Sequence, residues 1–227
     1  MGDWAEAYRT AAVDALAPLE DPERADQMAA YMKDHFPFLG VTAQPRRAAV
    51  RAATGELGRP PSEDELLAAA DACWDVDERE LQYVATDLLA RHRRMLTASA
   101  LPSLRRLIET KSWWDTVDAL ASPTVGSIVL GDPELGAEMD RWVDDEDLWV
   151  ARTAIIHQLR FKEATDADRL FDHCLRRAAD TDFFLRKAIG WALRQYARTA
   201  PAEVRAFVAA HRDELSPLSV REATKHL

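Results

Sequence analysis

Three observations predict an all-α fold, an α-solenoid of stacked helical pairs. Segments such as 63–73, 78–94 and 183–198 are rich in Ala, Leu, Arg and Glu, and their apolar residues recur three and four apart. That is the period of a helix with one buried face. Breaks fall at Asp21-Pro22, Gly58-Arg59-Pro60-Pro61, Leu101-Pro102, Ser122-Pro123, Asp132-Pro133, Ala200-Pro201 and Ser216-Pro217. Several of these put Pro in a helix's first turn behind an Asp or Ser cap. Finally, Val84, Asp118, Arg152, Arg186 and Arg221 follow one another at 34, 34, 34 and 35 residues, with Thr86, Leu120, Ala154, Ala188 and Ala223 two positions later. A period in the mid-thirties with two helices per unit marks repeats that bury their apolar faces against their neighbours.

Composition sets the outer bounds. The 227 residues, 48% hydrophobic and 30% charged with eight Gly, suit one globular domain spanning 1–227. No apolar run approaches the roughly 18 residues of a spanning helix. The start, Met1 to Glu6, carries acidic residues where a signal peptide has a basic region, so a cytoplasmic protein is expected. Cys73 and Cys174 stand far apart without a metal-ligand spacing and read as reduced, buried thiols. The net charge of −10 argues against a nucleic-acid partner until it is divided along the chain. Residues 1–149 carry 15 basic and 29 acidic side chains, residues 150–227 carry 14 and 10, so the C-terminal third is where an anionic partner would sit.

Three segments hold residues suited to chemistry. In Lys111–Leu120 (KSWWDTVDAL), with Thr110 or Ser112 near the cap, Trp113, Val117 and Leu120 form a core stripe. Trp114 and Asp118, at i and i+4, share a face about 100° round from it. An indole beside a carboxylate can stabilise a cation; the structural alternative is a packed Trp pair with Asp118 bonded to backbone or to an Arg. In 147–160, Arg152 is the one charge in an apolar turn and a half. Its partner is either an internal carboxylate such as Asp118 in the preceding repeat or a phosphate held in fork geometry. In 181–198, Leu185, Ala188, Ala192 and Tyr196 form the core stripe, and Lys187, Trp191, Arg194 and Arg198 follow another face. That second stripe suits a sugar-phosphate surface, although Arg and Lys around a half-buried Trp also occur simply as a solvated face.

Together WWDTVD, LWVARTAIIHQL, FFLRKAIGWALRQYA and YMKDHFPFLGVTAQPRR resemble the AlkD-like DNA alkylation repair glycosylases, in the same order and over nearly the whole chain from Tyr31. The resemblance implies HEAT-like repeats in a curved superhelix that binds double-stranded DNA. It implies excision of N3- and N7-alkylated purines without a metal or organic cofactor, leaving an abasic site; a monomer is expected. Asp118 matches the catalytic aspartate, Trp114 and Trp191 the two tryptophans flanking the lesion's deoxyribose, and Arg152 the arginine beside the backbone. Tyr31 matches a DNA-facing aromatic. Thr42 stands where a member of the family has Gln and Arg160 where that member has Lys; with Lys187 and Arg194 they complete the expected DNA contacts. The chemistry is consistent with these residue types: an alkylated purine is already a cationic leaving group, so the site needs negative charge near C1′, a positioned water and polarizable walls. The rival classes are a non-catalytic helical-repeat scaffold and a lyase working through a Schiff-base lysine, for which Lys187 and Lys111 are the nearby candidates.

Overall fold

The computed structural model describes residues 2–225 and 227, and among them every regular element is helical. None of the helices is long and apolar enough to cross a membrane. The chain divides into two compact units, one up to Leu96 and one from Thr97.

The first unit contains α1 (Asp3–Leu16), α2 (Pro22–Tyr31), α3 (Ala43–Ala53), α4 (Glu63–Asp75) and α5 (Arg79–His92). The predicted cap at Asp21 forms, accepting the Arg24 N–H at 3.0 Å, and Ser62 caps α4 by accepting the Glu65 N–H at 3.2 Å, each satisfying an orphan first-turn donor. α1 packs on α3 and α4, and α5 on α3 and α4, around a core that includes Ala12, Leu16, Leu66, Ala70, Cys73 and Leu89. Between α2 and α3 the chain passes through Gly40 at φ +85°, where an added Cβ would lie 2.2 Å from the Asp21 carbonyl oxygen. Glu80, fully buried at the start of α5, secures this connection. Its carboxylate accepts the N–H groups of Leu39, Gly40 and Val41 at 3.0, 2.9 and 3.0 Å.

The second unit holds α6 (Leu101–Glu109), α7 (Trp114–Leu120), α8 (Gly126–Gly131), α9 (Gly136–Trp142), α10 (Leu148–Ile156), α11 (Ala167–Arg176), α12 (Phe183–Tyr196), α13 (Pro201–Ala210) and α14 (Pro217–Ala223). The expected period is present. α5, α7, α10, α12 and α14 begin at residues 79, 114, 148, 183 and 217, and the column Thr86, Leu120, Ala154, Ala188 and Ala223 is buried throughout. Within this unit successive second helices pack together, α7 on α10 and α10 on α12. α12 and α14 come close at Gly190, where a Cβ would fall 2.5 Å from that of Glu222.

One local expectation is corrected. Ser122-Pro123 is not a break: α7 runs on through a π-helical segment, Ala121–Val125, into α8. Proline lacks an N–H and displaces the carbonyl four residues back, and a wider turn accommodates both without ending the helix. Ser112 stands next to the cap of α7, near which it was expected. The Thr110 and Ser112 hydroxyls donate to the Arg106 and Ile108 carbonyls at 2.7 and 2.6 Å, and Trp113 occupies the cap position. Both cysteines are free and buried.

Candidate functional site

Tandem Asp-x-Asp sequences place α10 and α12. Asp147 accepts the Trp149 and Val150 N–H groups at 2.8 and 3.1 Å, and Asp182 those of Phe184 and Leu185 at 2.7 and 3.1 Å. The aspartates two residues earlier, Asp145 and Asp180, accept the N–H groups of those caps and are themselves held by Arg105 and Arg177, each at 2.7 Å. The sequence reading overlooked this doubled motif, whose recurrence at the repeat interval was a visible signal. It aligns the first turns of the helices, and there Trp113, Trp149 and Phe184 pack with ring centroids 4.9–5.7 Å apart.

One turn further along, three successive second helices are tied together by polar contacts. Arg152 on α10, only 4% exposed, donates Nε and Nη2 to the two carboxylate oxygens of Asp118 on α7 at 2.7 and 2.8 Å. Its Nη1 donates to the Phe184 carbonyl on α12 at 2.6 Å. Of the two partners open to Arg152, the structure has the internal carboxylate. The Asp118 side chain keeps 17% of its surface open. Burial pushes its carboxyl above the usual aspartate range, and the Arg152 guanidinium opposes that shift without overcoming it. Trp114, the first residue of α7, lies one turn before Asp118, and Trp191 lies two turns after Phe184 on α12; both indoles are half-buried.

The remaining expected contacts have varied surroundings. Lys187 and Arg194 on α12 both pair with Glu222 of α14, at 3.1 and 2.5 Å. The expected basic stripe is thus partly neutralised inside the molecule, because the close approach at Gly190 brings that glutamate over it. Lys187 holds the Glu222 carboxyl below its usual range against the opposing effect of burial, and Arg194 adds to this. Arg160 is exposed at the end of a 3-10 turn, His157–Arg160. In the first unit Tyr31 ends α2 and is 70% exposed. Thr42 is exposed at the cap position of α3, and its hydroxyl makes no cap bond. Glu80, which fixes the segment between them, was missed: in sequence it is one acid among many, and its partners are backbone groups about forty residues away. Among the described residues no group of three or more His, Cys, Asp or Glu is placed to hold a metal ion.

A protein-family model described as "DNA alkylation repair enzyme" matches residues 12–227. A solved structure called a predicted DNA alkylation repair enzyme from Enterococcus faecalis superposes with a TM-score of 0.83 at 33% identity, over 92% of this chain and 96% of that one. No curated protein matches the chain.

Proposed function

The chain belongs to the DNA alkylation repair enzyme family, and from that premise we propose that it is a DNA glycosylase that hydrolyses the N-glycosidic bond of N3- and N7-alkylated purines in duplex DNA. The observation that carries this reading is Asp118: a largely buried carboxylate, oriented by Arg152, with part of its surface open and a half-buried indole one turn away. Each carboxylate oxygen gives one lone pair to Arg152 and keeps another. The free side can face an anomeric carbon that becomes positive as the bond to the base lengthens, or the water that then attacks it. Trp114 and Trp191 offer flat, polarizable faces to the sugar. Alkylation places a positive charge on the purine, so the base leaves without a strong acid to protonate it. Tyr31, Thr42, Arg160, Lys187 and Arg194 are the proposed DNA contacts, and the enzyme acts as a cytoplasmic monomer.

The test is release of free base from duplexes containing N7-methylguanine or uracil, with strand integrity followed before and after alkali. Methylated base should be released, uracil should stay, and the strand should break only with alkali. In Asp118→Asn, release should fall by about 10²–10³, as commonly follows loss of one well-placed electrostatic group. Wild-type rates in a folded Asp118→Asn protein refute the role of Asp118. A borohydride-trapped adduct points to the lyase, and no release from any alkylated duplex to the scaffold.

A further inference from the structure

The unit up to Leu96 is acidic, with 11 Lys and Arg against 18 Asp and Glu, yet its cations are not evenly spread. A cleft of about 580 Å³ between α1, α3 and α5 is lined by Arg46, Arg47, Arg51 and Arg91 and by a single carboxylate, Asp87. More than a third of the unit's cations thus gather around one of its eighteen acids. Arg47 donates Nε and Nη2 to Asp87 at 2.9 and 3.0 Å, and Arg46 donates Nη2 to the same group at 3.1 Å. One negative charge therefore answers two guanidiniums. Arg46 is only 6% exposed, and its Nε has no hydrogen-bond partner. Arg51 and Arg91 are exposed, and neither has a carboxylate at ion-pair distance among the described residues. The cleft's floor is apolar, formed by the buried Val50, Val84 and Leu88.

We propose that this cleft binds a phosphodiester of the DNA backbone, with Arg51 and Arg91 as the contacting groups and Arg46 and Arg47 supplying fixed charge behind them. A cleft of one sign over a low-dielectric floor focuses its field outward, and planar guanidiniums match the tetrahedral oxygens of phosphate. Asp87 keeps two of the four cations in register, as an orienting carboxylate does for a cationic ligand-binding group, and leaves the cleft's sum at plus three. The charge is concentrated where the rest of the unit repels DNA, so the cleft sets where along this unit a strand can lie. The inference rests on the reading that DNA is the partner, and is independent of the chemistry at Asp118.

The experiment measures binding of a short undamaged duplex by fluorescence anisotropy as a function of salt, in wild type and in the double variant Arg51→Ala/Arg91→Ala, whose exposed side chains leave the core intact. Wild type loses affinity with a slope that counts its phosphate contacts, about 0.9 for each. The double variant should lose about 2 from that slope. Arg51→Lys/Arg91→Lys should recover most of the loss, and Arg24→Ala/Arg59→Ala, equal in charge change but outside the cleft, should lose much less. An unchanged slope, or equal losses at the two sites, overturns the proposal. Thermal stabilisation by inorganic phosphate that the double variant abolishes, with an unchanged DNA slope, also overturns it by assigning the cleft to a free anion. Because undamaged DNA is used, a reduced slope without any base release supports the cleft and refutes the glycosylase reading. Base release with an unchanged slope does the reverse.

Discussion

Replacing Asp118 by Asn and Arg152 by Met, singly and together, isolates the contact that joins α7 to α10. Arg152 is almost wholly withdrawn from water and gives two charge-assisted bonds to Asp118 and a third to the Phe184 carbonyl. Either single replacement strands a charge: a guanidinium without its carboxylate, or a carboxylate without its guanidinium. Breaking such a buried pair from one side costs about 3–5 kcal/mol. The lower end applies here, because Asp118 keeps 17% of its side chain open and water there softens the loss, so about 3 kcal/mol is expected for each single variant. In the double variant no charge is stranded and the Met side chain fills most of the vacated volume. What remains is the Phe184 carbonyl left unpaired, about 1–2 kcal/mol. The double-mutant cycle should therefore show a coupling of about 4–5 kcal/mol, read from urea unfolding followed by far-UV circular dichroism. The coupling should survive a rise in salt that screens exposed pairs such as Arg47–Asp87. Additivity within about 0.5 kcal/mol, the usual tolerance for independent sites, refutes the reasoning.

Two pH dependences follow from the same interior. Base release should require ionised Asp118, whose carboxyl burial holds above the ordinary aspartate value of 3.8, so activity is lost on acidification at a higher pH than an exposed aspartate would give. Arg152→Met removes the group opposing burial and should move that limb further up; a limb that moves down contradicts the assignment. His157 is fully buried, with Nδ1 on the Ala154 carbonyl at 2.6 Å, and burial lowers its pKa from 6.5 to about 3. The unfolded chain takes up this proton first, so His157's contribution to stability is complete above pH 6.5 and falls towards pH 3, at about 1.4 kcal/mol per unit at full slope. His157→Gln should flatten the dependence of the urea midpoint on pH between about 6 and 4, and an unaltered curve rules out this source.

The repeat was legible because burial imposes it: every 34 or 35 residues a small or apolar side chain must turn away from water, and the column from Thr86 to Ala223 records that demand. Caps at Asp21 and Ser216 were legible for the same local reason, one side-chain oxygen serving nearby N–H groups. The period also put Asp118 and Arg152 one repeat apart, although it left open whether Arg152 faced that carboxylate or a phosphate. Contacts that depend on how helices approach one another were hidden. Glu222 over Lys187 and Arg194 depends on the absent side chain of Gly190. The arginine cleft was concealed by averaging, since an acidic total over residues 1–149 says nothing of four cations meeting from α3 and α5.

The π turn between α7 and α8 makes the two halves of this helix differ in phase. A π turn amounts to one residue more than an α-helix would use over the same rise, so it turns everything beyond it by about 100° relative to uninterrupted α-helical winding. Gly126 lies just past it, where a Cβ would stand 2.2 Å from the His157 carbonyl oxygen. Were the same residues wound as an uninterrupted α-helix, Asp118 would stay in register with Arg152 while the glycine swung aside from that oxygen; removing one residue from Ala121–Val125 would instead let an ordinary α turn span the same rise and keep both in place. The wide turn is therefore what absorbs one extra residue in this helix: it holds the phase between the half that carries Asp118 and the half that sets Gly126 against the His157 carbonyl.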